Sequence, residues 1–418
     1  MFESVRLTNF KNFRDATLPL GPFTVIVGTN ASGKSNLRDA FRFLHGIGRG
    51  YTLAEIIGEK YGDGGERVWR GIRGGVAEIG LHNHRENDSI GVEVDTHFSR
   101  NDLMSTYQLQ FRRDLASSTP IIVRELFRVG VNQVYLAEYA LSLVTRYVLA
   151  VAFGDERDKP FENRHALSAN TPVLCQLKPV GSPMKAQLLS ASEFSDFLAS
   201  IRFLDLSPDE MKRPSLPGQL MLGDRGENLS SVLMAICADA DSKRGLTEWL
   251  QELTPVDVID LDFVEDQQGR VSVTLVEASG TRTSVHSASD GTLRFLGLLA
   301  ALMGPKRPRV LFLDEIDTGI HPARLHLLVQ LIEHHTAKGD LQVIATTHSP
   351  QLLALLSERS RNDAVLVYRL HGATDAGIKR IVDIPHAREV LQNESLSRLH
   401  ETGWLENAVE FAHAEPAS

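Results

Sequence analysis

The feature that most narrows the folding options of this chain is the run Gly28-Thr29-Asn30-Ala31-Ser32-Gly33-Lys34-Ser35, which fits G-x-x-x-x-G-K-[ST] in full. Ahead of it, Thr24 to Val27 read as a short buried strand. Behind it, Leu37, Ala40, Phe41 and Leu44 fall at i, i+3, i+4 and i+7, one face of a helix. A strand–loop–helix unit of this kind wraps an anion. Glycines clear side chains where the backbone bends round a phosphate, and backbone N–H groups point inward at the helix start. A chance glycine-rich turn would lack this context. Gly28, Asn30, Ala31, Ser32, Gly33, Lys34, Ser35 and Asn36 are therefore the candidate nucleotide-binding set. Within it, Lys34 would reach the β- and γ-phosphates and the Ser35 hydroxyl would bind Mg²⁺.

Three later segments suit the same chemistry. Val310 to Leu313 is fully apolar and ends in Asp314-Glu315. An acid pair closing a buried parallel strand sits at the carboxyl edge of its sheet, where ligands bind. Asp314 is expected in the Mg²⁺ shell and Glu315 beside the attacking water; solvated acids at an ordinary strand end are the plain alternative. Val343 to Ala345 is another apolar strand, followed by Thr346-Thr347-His348-Ser349. His348 then stands at the same edge, where an imidazole can hydrogen-bond a γ-phosphate. Ser289-Asp290-Gly291-Thr292 precedes the apolar stretch Leu293 to Met303. Ser and Asp are favoured N-caps, and an exposed helix N-terminus is also an anion site. A single copy offers this one no obvious anion.

Around these motifs the first twenty residues read as a strand pair. Val92, Val94, Thr96 and Phe98 share one face of a strand, and Tyr107, Leu109 and Phe111 repeat the alternation, which predicts an antiparallel layer with one wet face. Residues 115–250 are expected to form a mixed, mostly helical insertion. In it, Leu204 to Gly226 is loop, and Asn228 to Ile236 and Leu246 to Leu253 are helices. Val271, Val273 and Leu275 return to strand alternation. Beyond Ser289, strand and helix alternate, with Leu325, Leu328 and Ile332 facing inward. The expected fold class is α/β, with a central, mostly parallel sheet. It divides into an N-terminal lobe 1–114, the insertion 115–250, a C-terminal lobe 251–382 and a helical tail 383–418.

A 418-residue chain with 42% hydrophobic and 23% charged residues is globular in composition. Its net charge of -9 disfavours whole-surface attraction to nucleic acid. DNA stays open as a partner but is not indicated by charge, since the runs Arg112-Arg113 and Lys306 to Arg309 are small. Cys175 and Cys237 have no zinc-ligand neighbours and read as reduced structural thiols. No stretch reaches the ~20 apolar residues of a membrane helix; the best, Leu141 to Phe153, is broken by Arg146. With no signal peptide at MFESVRLTNF, a cytoplasmic protein with no membrane partner is expected.

The four motifs, in this order, resemble the ABC-type ATPase heads of the structural-maintenance-of-chromosomes (SMC) and RecF-like families. Leu7-Thr8-Asn9-Phe10-Lys11-Asn12-Phe13 and Asn30 carry the same likeness. Gly226-Glu227-Asn228-Leu229 and Ser289-Asp290-Gly291-Thr292-Leu293-Arg294 look like compact AAA-family ATPases of bacterial defence islands, related to the ATPase half of overcoming-lysogenisation-defect nucleases. The resemblance implies a P-loop NTPase fold using ATP and Mg²⁺, with two ATPs buried between two heads. It also implies that Ser289 and Gly291 contact the γ-phosphate held by the other subunit, and that Asp317 lies on the loop crossing the dimer interface.

The chain departs from the family pattern in several places. The transporter Leu-Ser-Gly-Gly-Gln signature is lacking, and so is any Gln between Asn36 and Tyr107. Arg73-Gly74-Gly75 stands about where a Gln loop should be. There are no coiled-coil arms, and no Asp-x-Asp pair suited to a nuclease metal follows His348. The expected function is an ATP hydrolase that senses or scaffolds for a separate nuclease or toxin in anti-phage defence. A RecF-like repair ATPase is the alternative, and a transporter engine is a weaker one.

Overall fold

The computed structural model describes residues 1–81, 88–97, 103–114, 119–140, 148–153, 165–177, 185–253 and 258–414. Two large sheets organise them. In the first, β1 (Phe2–Phe10) pairs with β2 (Phe13–Pro19) on one side and β6 (Ile90–Thr96) on the other. The sheet continues through β7 (Ser105–Arg113), β8 (Pro120–Val129), β9 (Asn132–Ala140), β10 (Val148–Phe153) and β11 (His165–Ser168), every pair antiparallel. In the second, β12 (Ile201–Leu204), β16 (Val310–Leu313), β17 (Gln342–Thr346), β3 (Phe23–Val27) and β18 (Val365–Tyr368) lie parallel in that order. An antiparallel strand, β19 (Gly377–Arg380), closes its edge. A small sheet of β13 (Val258–Glu265), β14 (Val271–Glu277) and β15 (Arg282–Ser284) and a ribbon of β4 (Lys60–Tyr61) and β5 (Arg67–Trp69) complete the strands.

The parallel strands are buried on both faces, so period-two alternation splits each between two cores. Val25, Val27, Leu311, Leu313, Val343 and Ala345 enter one core, while Ile26, Val310, Phe312 and Ile344 enter the other. The helix Lys34–Gly48 lies between the two sheets. The Phe41 ring is 5.6 Å from Phe312 of the parallel sheet, and Phe43 stacks 5.2 Å from Phe111 of the antiparallel one. Its apolar face is therefore wider than the four expected positions, with Phe43, His45, Gly46 and Ile47 also buried. A Cβ on Gly48 would stand 2.2 Å from the backbone nitrogen of Ala199, so glycine there lets the helix Lys185–Ala199 approach.

The region 115–250 is mixed, but its parts are not a separate layer. Its first half, where described, is mostly strand, with one short helix at Val173–Gln176: β8 to β11 extend the antiparallel sheet, and the division at 114/115 falls on the β7–β8 hairpin. Cross-strand pairing, as of Phe111 with Ile122, holds the two sides together. Its second half is helical over Lys185–Ala199 and from Leu229 on; between them the stretch expected as loop, Leu204 to Gly226, is loop apart from the end of β12 and the short helix Pro208–Met211, and β12 joins the parallel sheet beside β16. That short Ile-Arg-Phe-Leu segment carries no long apolar run that would mark a central strand. The helices Leu229–Cys237 and Ala240–Leu253 lie where expected, as do the tail helices Ala387–Asn393, Leu396–Glu401 and Trp404–Ala414. Phe98 and residues 141–147 of the apolar stretch at 141–153 lie outside the described residues. Among the described residues, no helix is long and apolar enough to cross a membrane.

Candidate nucleotide site

The glycine loop leaves β3 through backbone that L-residues seldom adopt: φ is +148° at Gly28, +63° at Ala31 and +124° at Gly33. A Cβ on Gly28 would lie 2.1 Å from the carbonyl oxygen of Val367, and one on Gly33 would lie 2.7 Å from Asn12 Nδ2. Asn12, in the β1–β2 turn, donates to the Ser32 carbonyl at 3.0 Å and accepts from Asn36 Nδ2 at 2.7 Å. The loop is thus braced on two sides. Asn30, Ala31 and Ser35 remain exposed at its mouth. The buried Ser32 hydroxyl has no partner among the described residues, so the loop holds a polar group ready for a ligand oxygen. Lys34 Nζ donates to the carbonyls of Gly28 at 2.6 Å and Thr29 at 2.9 Å. Burial pulls the Lys34 pKa below the usual lysine value, while Asp314, Glu315 and Glu406 pull it back up.

The acids come from the neighbouring strands. Leu313 of β16 is level with Ala345 of β17, which is level with Val25 of β3. The register therefore sets Asp314 beside Thr346. The Thr346 hydroxyl donates to Asp314 Oδ1 at 2.6 Å and accepts the Glu315 N–H at 2.8 Å. Glu315 sits at φ +48°, strained for a residue with a side chain. Its carboxylate is exposed and accepts from the Thr318 hydroxyl at 3.3 Å. Arg38, one turn along the phosphate-loop helix from Lys34, pairs with Asp314 Oδ2 at 3.3 Å. Thr347 donates to Asp317 Oδ1 at 2.5 Å, and exposed His348 follows it. Ser349 then caps the helix Pro350–Leu355. Lys34, Asp314, Glu315 and His348 thus follow the carboxyl ends of three adjacent strands.

The Ser35 hydroxyl and the Asp314 carboxylate make a hard-oxygen donor set. It suits Mg²⁺, which keeps several waters and takes phosphate oxygens alongside one or two protein ligands. No cluster of three or more His, Cys, Asp or Glu residues that could hold a metal ion occurs among the described residues. Arg38 has to release Asp314 Oδ2 before a cation uses that oxygen.

Ser289 caps the helix Asp290–Met303, accepting the Thr292 N–H at 3.2 Å. It is exposed, and among the described residues no hydrogen bond joins Ser289 or Gly291 to the phosphate loop. Instead, a Cβ on Gly291 would meet the Gly319 carbonyl at 2.8 Å, so this helix start abuts the loop that carries Asp317. The two line a small cavity of about 220 Å³ together with His321 and Arg324.

Four residues that set this geometry had no role assigned from sequence: Asn12, Thr346 and Arg73, which stand inside segments singled out there, and Arg38, which does not. Arg73 donates to Asp39 Oδ2 at 3.0 Å and to Asn36 Oδ1 at 3.2 Å, and its carbonyl accepts from Lys11 Nζ. Asp39 is 2% exposed. Burial raises its pKa, and Arg73 and Lys11 oppose the rise. An aspartate amid a buried helix was the available signal. Lys11, Asn12, Asn36, Arg73 and Arg113 line a cleft of about 770 Å³ beside the loop, within the size range of small-molecule sites.

Residues 160–354 match the family model described as AAA domain, putative AbiEii toxin, Type IV TA system, and residues 1–49 match an AAA ATPase domain. An ATP/GTP phosphatase of Helicobacter pylori is 21% identical over 362 residues, covering 86% of this chain and 88% of that protein. The chromosome partition protein Smc of Methanocaldococcus jannaschii is 38% identical over 95 residues, 22% of this chain and 8% of Smc. The DNA replication and repair protein RecF of Brucella abortus is 47% identical over 51 residues, 12% of this chain and 13% of RecF. Among solved structures, an SMC head bound to the C-terminal winged-helix domain of ScpA superposes with a TM-score of 0.50 at 14% identity, covering 90% of this chain and 97% of that one. The chain therefore has the fold of an SMC-head-like P-loop ATPase, α/β with several sheets, and carries AAA ATPase matches at both ends of that fold.

Proposed function

We propose that this chain binds ATP with Mg²⁺ in the Gly28–Ser35 loop, hydrolyses it, and does so as a dimer closed on the nucleotide. The observation that carries the reading is the register of β16, β17 and β3, which sets Asp314, Glu315 and Lys34 at one sheet edge, with Thr346 holding both acids. Gly28, Asn30, Ala31, Ser32, Gly33 and Asn36 cradle the phosphates through backbone and side-chain donors, and Lys34 turns from its two carbonyls to the β- and γ-phosphates. Mg²⁺ held by Ser35 and Asp314 would neutralise charge on the phosphate oxygens. Glu315 orients the attacking water, and His348 hydrogen-bonds the γ-phosphate. Phosphoryl transfer needs mainly positioning and charge neutralisation, and these groups supply both. Ser289 and Gly291 of one copy complete the site of the other, with Asp317 on the loop between them. The exposure of Ser289, and the lack of any hydrogen bond from Ser289 or Gly291 to the chain's own phosphate loop among the described residues, support that arrangement.

Replacing Glu315 by Gln should slow phosphate release ~100-fold or more, the scale of general-base losses. It should also leave a nucleotide-bound dimer that light scattering detects. Parent-like turnover in Glu315→Gln would remove the acid from its assigned role.

In the cell, we infer a cytoplasmic sensor or scaffold for a separate effector, a nuclease or toxin, in anti-phage defence. The toxin–antitoxin wording of the matched family model supports this setting. The RecF match at 47% over 51 residues favours a second reading, a DNA-repair ATPase. Tight DNA binding with a steep salt slope would select the second, and co-purification of an effector from the native operon would select the first.

A further inference from the structure

Both oxygens of the Asp314 carboxylate are engaged, and by contacts of different kinds. The Thr346 hydroxyl donates to Oδ1 at 2.6 Å, and Arg38 Nη1 donates to Oδ2 at 3.3 Å. Thr346 ends β17, beside β16 in the register, and its hydroxyl also accepts the Glu315 N–H. That contact is part of the sheet edge. Arg38 instead arrives on a long side chain from the helix Lys34–Gly48. It stands three residues beyond Ser35, so the two are neighbours on one face of that helix. Its grip on Asp314 is slight. The Arg38 and Asp314 side chains are 23% and 30% exposed, and an ion pair so placed is weak and readily exchanged. The Arg38 Nε is buried with no hydrogen-bond partner among the described residues. The guanidinium thus has a donor left over when it sits on Asp314.

The contact lies on the one oxygen that a divalent cation beside Ser35 would use, so Arg38 and such a cation exclude each other. Charge gives the exclusion a consequence. Asp314 and Glu315 put two carboxylates at the edge that faces the phosphate loop, and a bare Asp314 repels phosphate oxygens. We propose that Arg38 is a built-in stand-in for the divalent cation: it covers and neutralises Asp314 in the nucleotide-free chain and gives up Oδ2 to a cation that comes with the nucleotide. The proposal rests on reading the loop as an ATP site. Two effects of opposite sign follow. Arg38 keeps free divalent cations off Asp314, and it eases the approach of ATP that carries no metal. It is a positioning residue, acting through Asp314, and it narrows the difference between ATP affinity with and without Mg²⁺.

The first test measures Mn²⁺ binding to the nucleotide-free full chain by electron paramagnetic resonance. Arg38→Ala and Arg38→Gln should each bind Mn²⁺ about fivefold tighter than the parent, the scale of one partly screened ion pair. The gain should vanish when Asp314→Asn is added. The second test compares ATP affinity in saturating Mg²⁺ with that in EDTA. Both neutral variants should weaken ATP about fivefold in EDTA and move it by less than about twofold in Mg²⁺. Arg38→Lys, which keeps the charge, should stay near the parent in both tests. Mn²⁺ binding unchanged in the two neutral variants, or a gain that survives Asp314→Asn, overturns the proposal. ATP weakened equally with and without Mg²⁺, as a merely structural role would give, overturns it too. If Lys34→Ala loses ATP in that case, the site reading stands and only the Arg38 inference falls. If the parent binds no ATP, or Lys34→Ala binds it equally well, both fall.

Discussion

The two large sheets solve opposite problems. The antiparallel sheet has long central strands, nine residues in β7 and ten in β8. Its one fully buried carboxylate, Glu125, is saturated: it accepts from the hydroxyls of Tyr135 at 2.7 Å and Tyr107 at 3.2 Å, and from the backbone N–H groups of Val173 at 2.7 Å and Leu174 at 3.1 Å. The parallel sheet has strands of only four or five residues and gathers polar groups at one edge, where Ser32 Oγ and Arg38 Nε are left without partners among the described residues. A satisfied buried acid ties elements together, whereas unsatisfied buried atoms beside exposed acids mark a place prepared for something else.

Substitutions can break or sharpen that contrast. The largest expected effect belongs to the antiparallel side. Glu125→Ala strands four donors in the core and should cost about 3–5 kcal/mol in urea unfolding. ATP turnover per folded molecule should stay at the parent value, and a selective loss of turnover would dissolve the division of labour. On the parallel side, Lys34→Ala should weaken ATP binding ~100-fold, about 2.7 kcal/mol, with the unfolding midpoint hardly moved. Acid should test the packing around both. Burial lowers the pKa of His45, on the phosphate-loop helix, and of His335, behind the parallel sheet, each to about 4. Folded pKa values below the unfolded one mean that the unfolded chain takes up protons first. Stability present above about pH 6.5 is therefore lost as pH falls toward 4, on the order of 2 kcal/mol per histidine. His335→Leu should flatten the melting temperature's dependence on pH across that window. The smallest change is Thr346→Val, which frees the Asp314 carboxylate and the Glu315 backbone N–H together: turnover should fall ~10-fold, about 1.4 kcal/mol, with little change in melting temperature.

The parallel side was the more legible in sequence, for a physical reason. Strands buried on both faces read as apolar runs, and Val310 to Leu313 and Val343 to Ala345 end directly in the residues that carry the chemistry. The phosphate loop announces itself because glycine is forced where backbone conformation and the Val367 carbonyl leave no room for a Cβ. β8 to β11 and β12 were harder. Long-range pairing decides them, and the burial of β8 breaks its alternation around Val123, which is skipped between the pairs Phe111–Ile122 and Gln110–Arg124. Thr346, Arg38 and Arg73 were illegible because their roles depend on register and on neighbours far along the chain. The tail read as helical, but nothing in its residues showed that Leu396, Leu399, Leu405 and Val409 pack into the core that holds Val25 and Val27.

The helix Lys34–Gly48 is gripped along its whole length. Phe41 and Phe43 lock it to opposite sheets, Gly48 closes on Ala199, and Cys175 Sγ reaches the Ile47 carbonyl at 3.0 Å. A rod fifteen residues long spans about 22 Å, and one so clasped has little freedom to flex between its ends. Bending it would have to disturb both sheets and the helix Lys185–Ala199 at once, so the phosphate loop starts from a fixed platform.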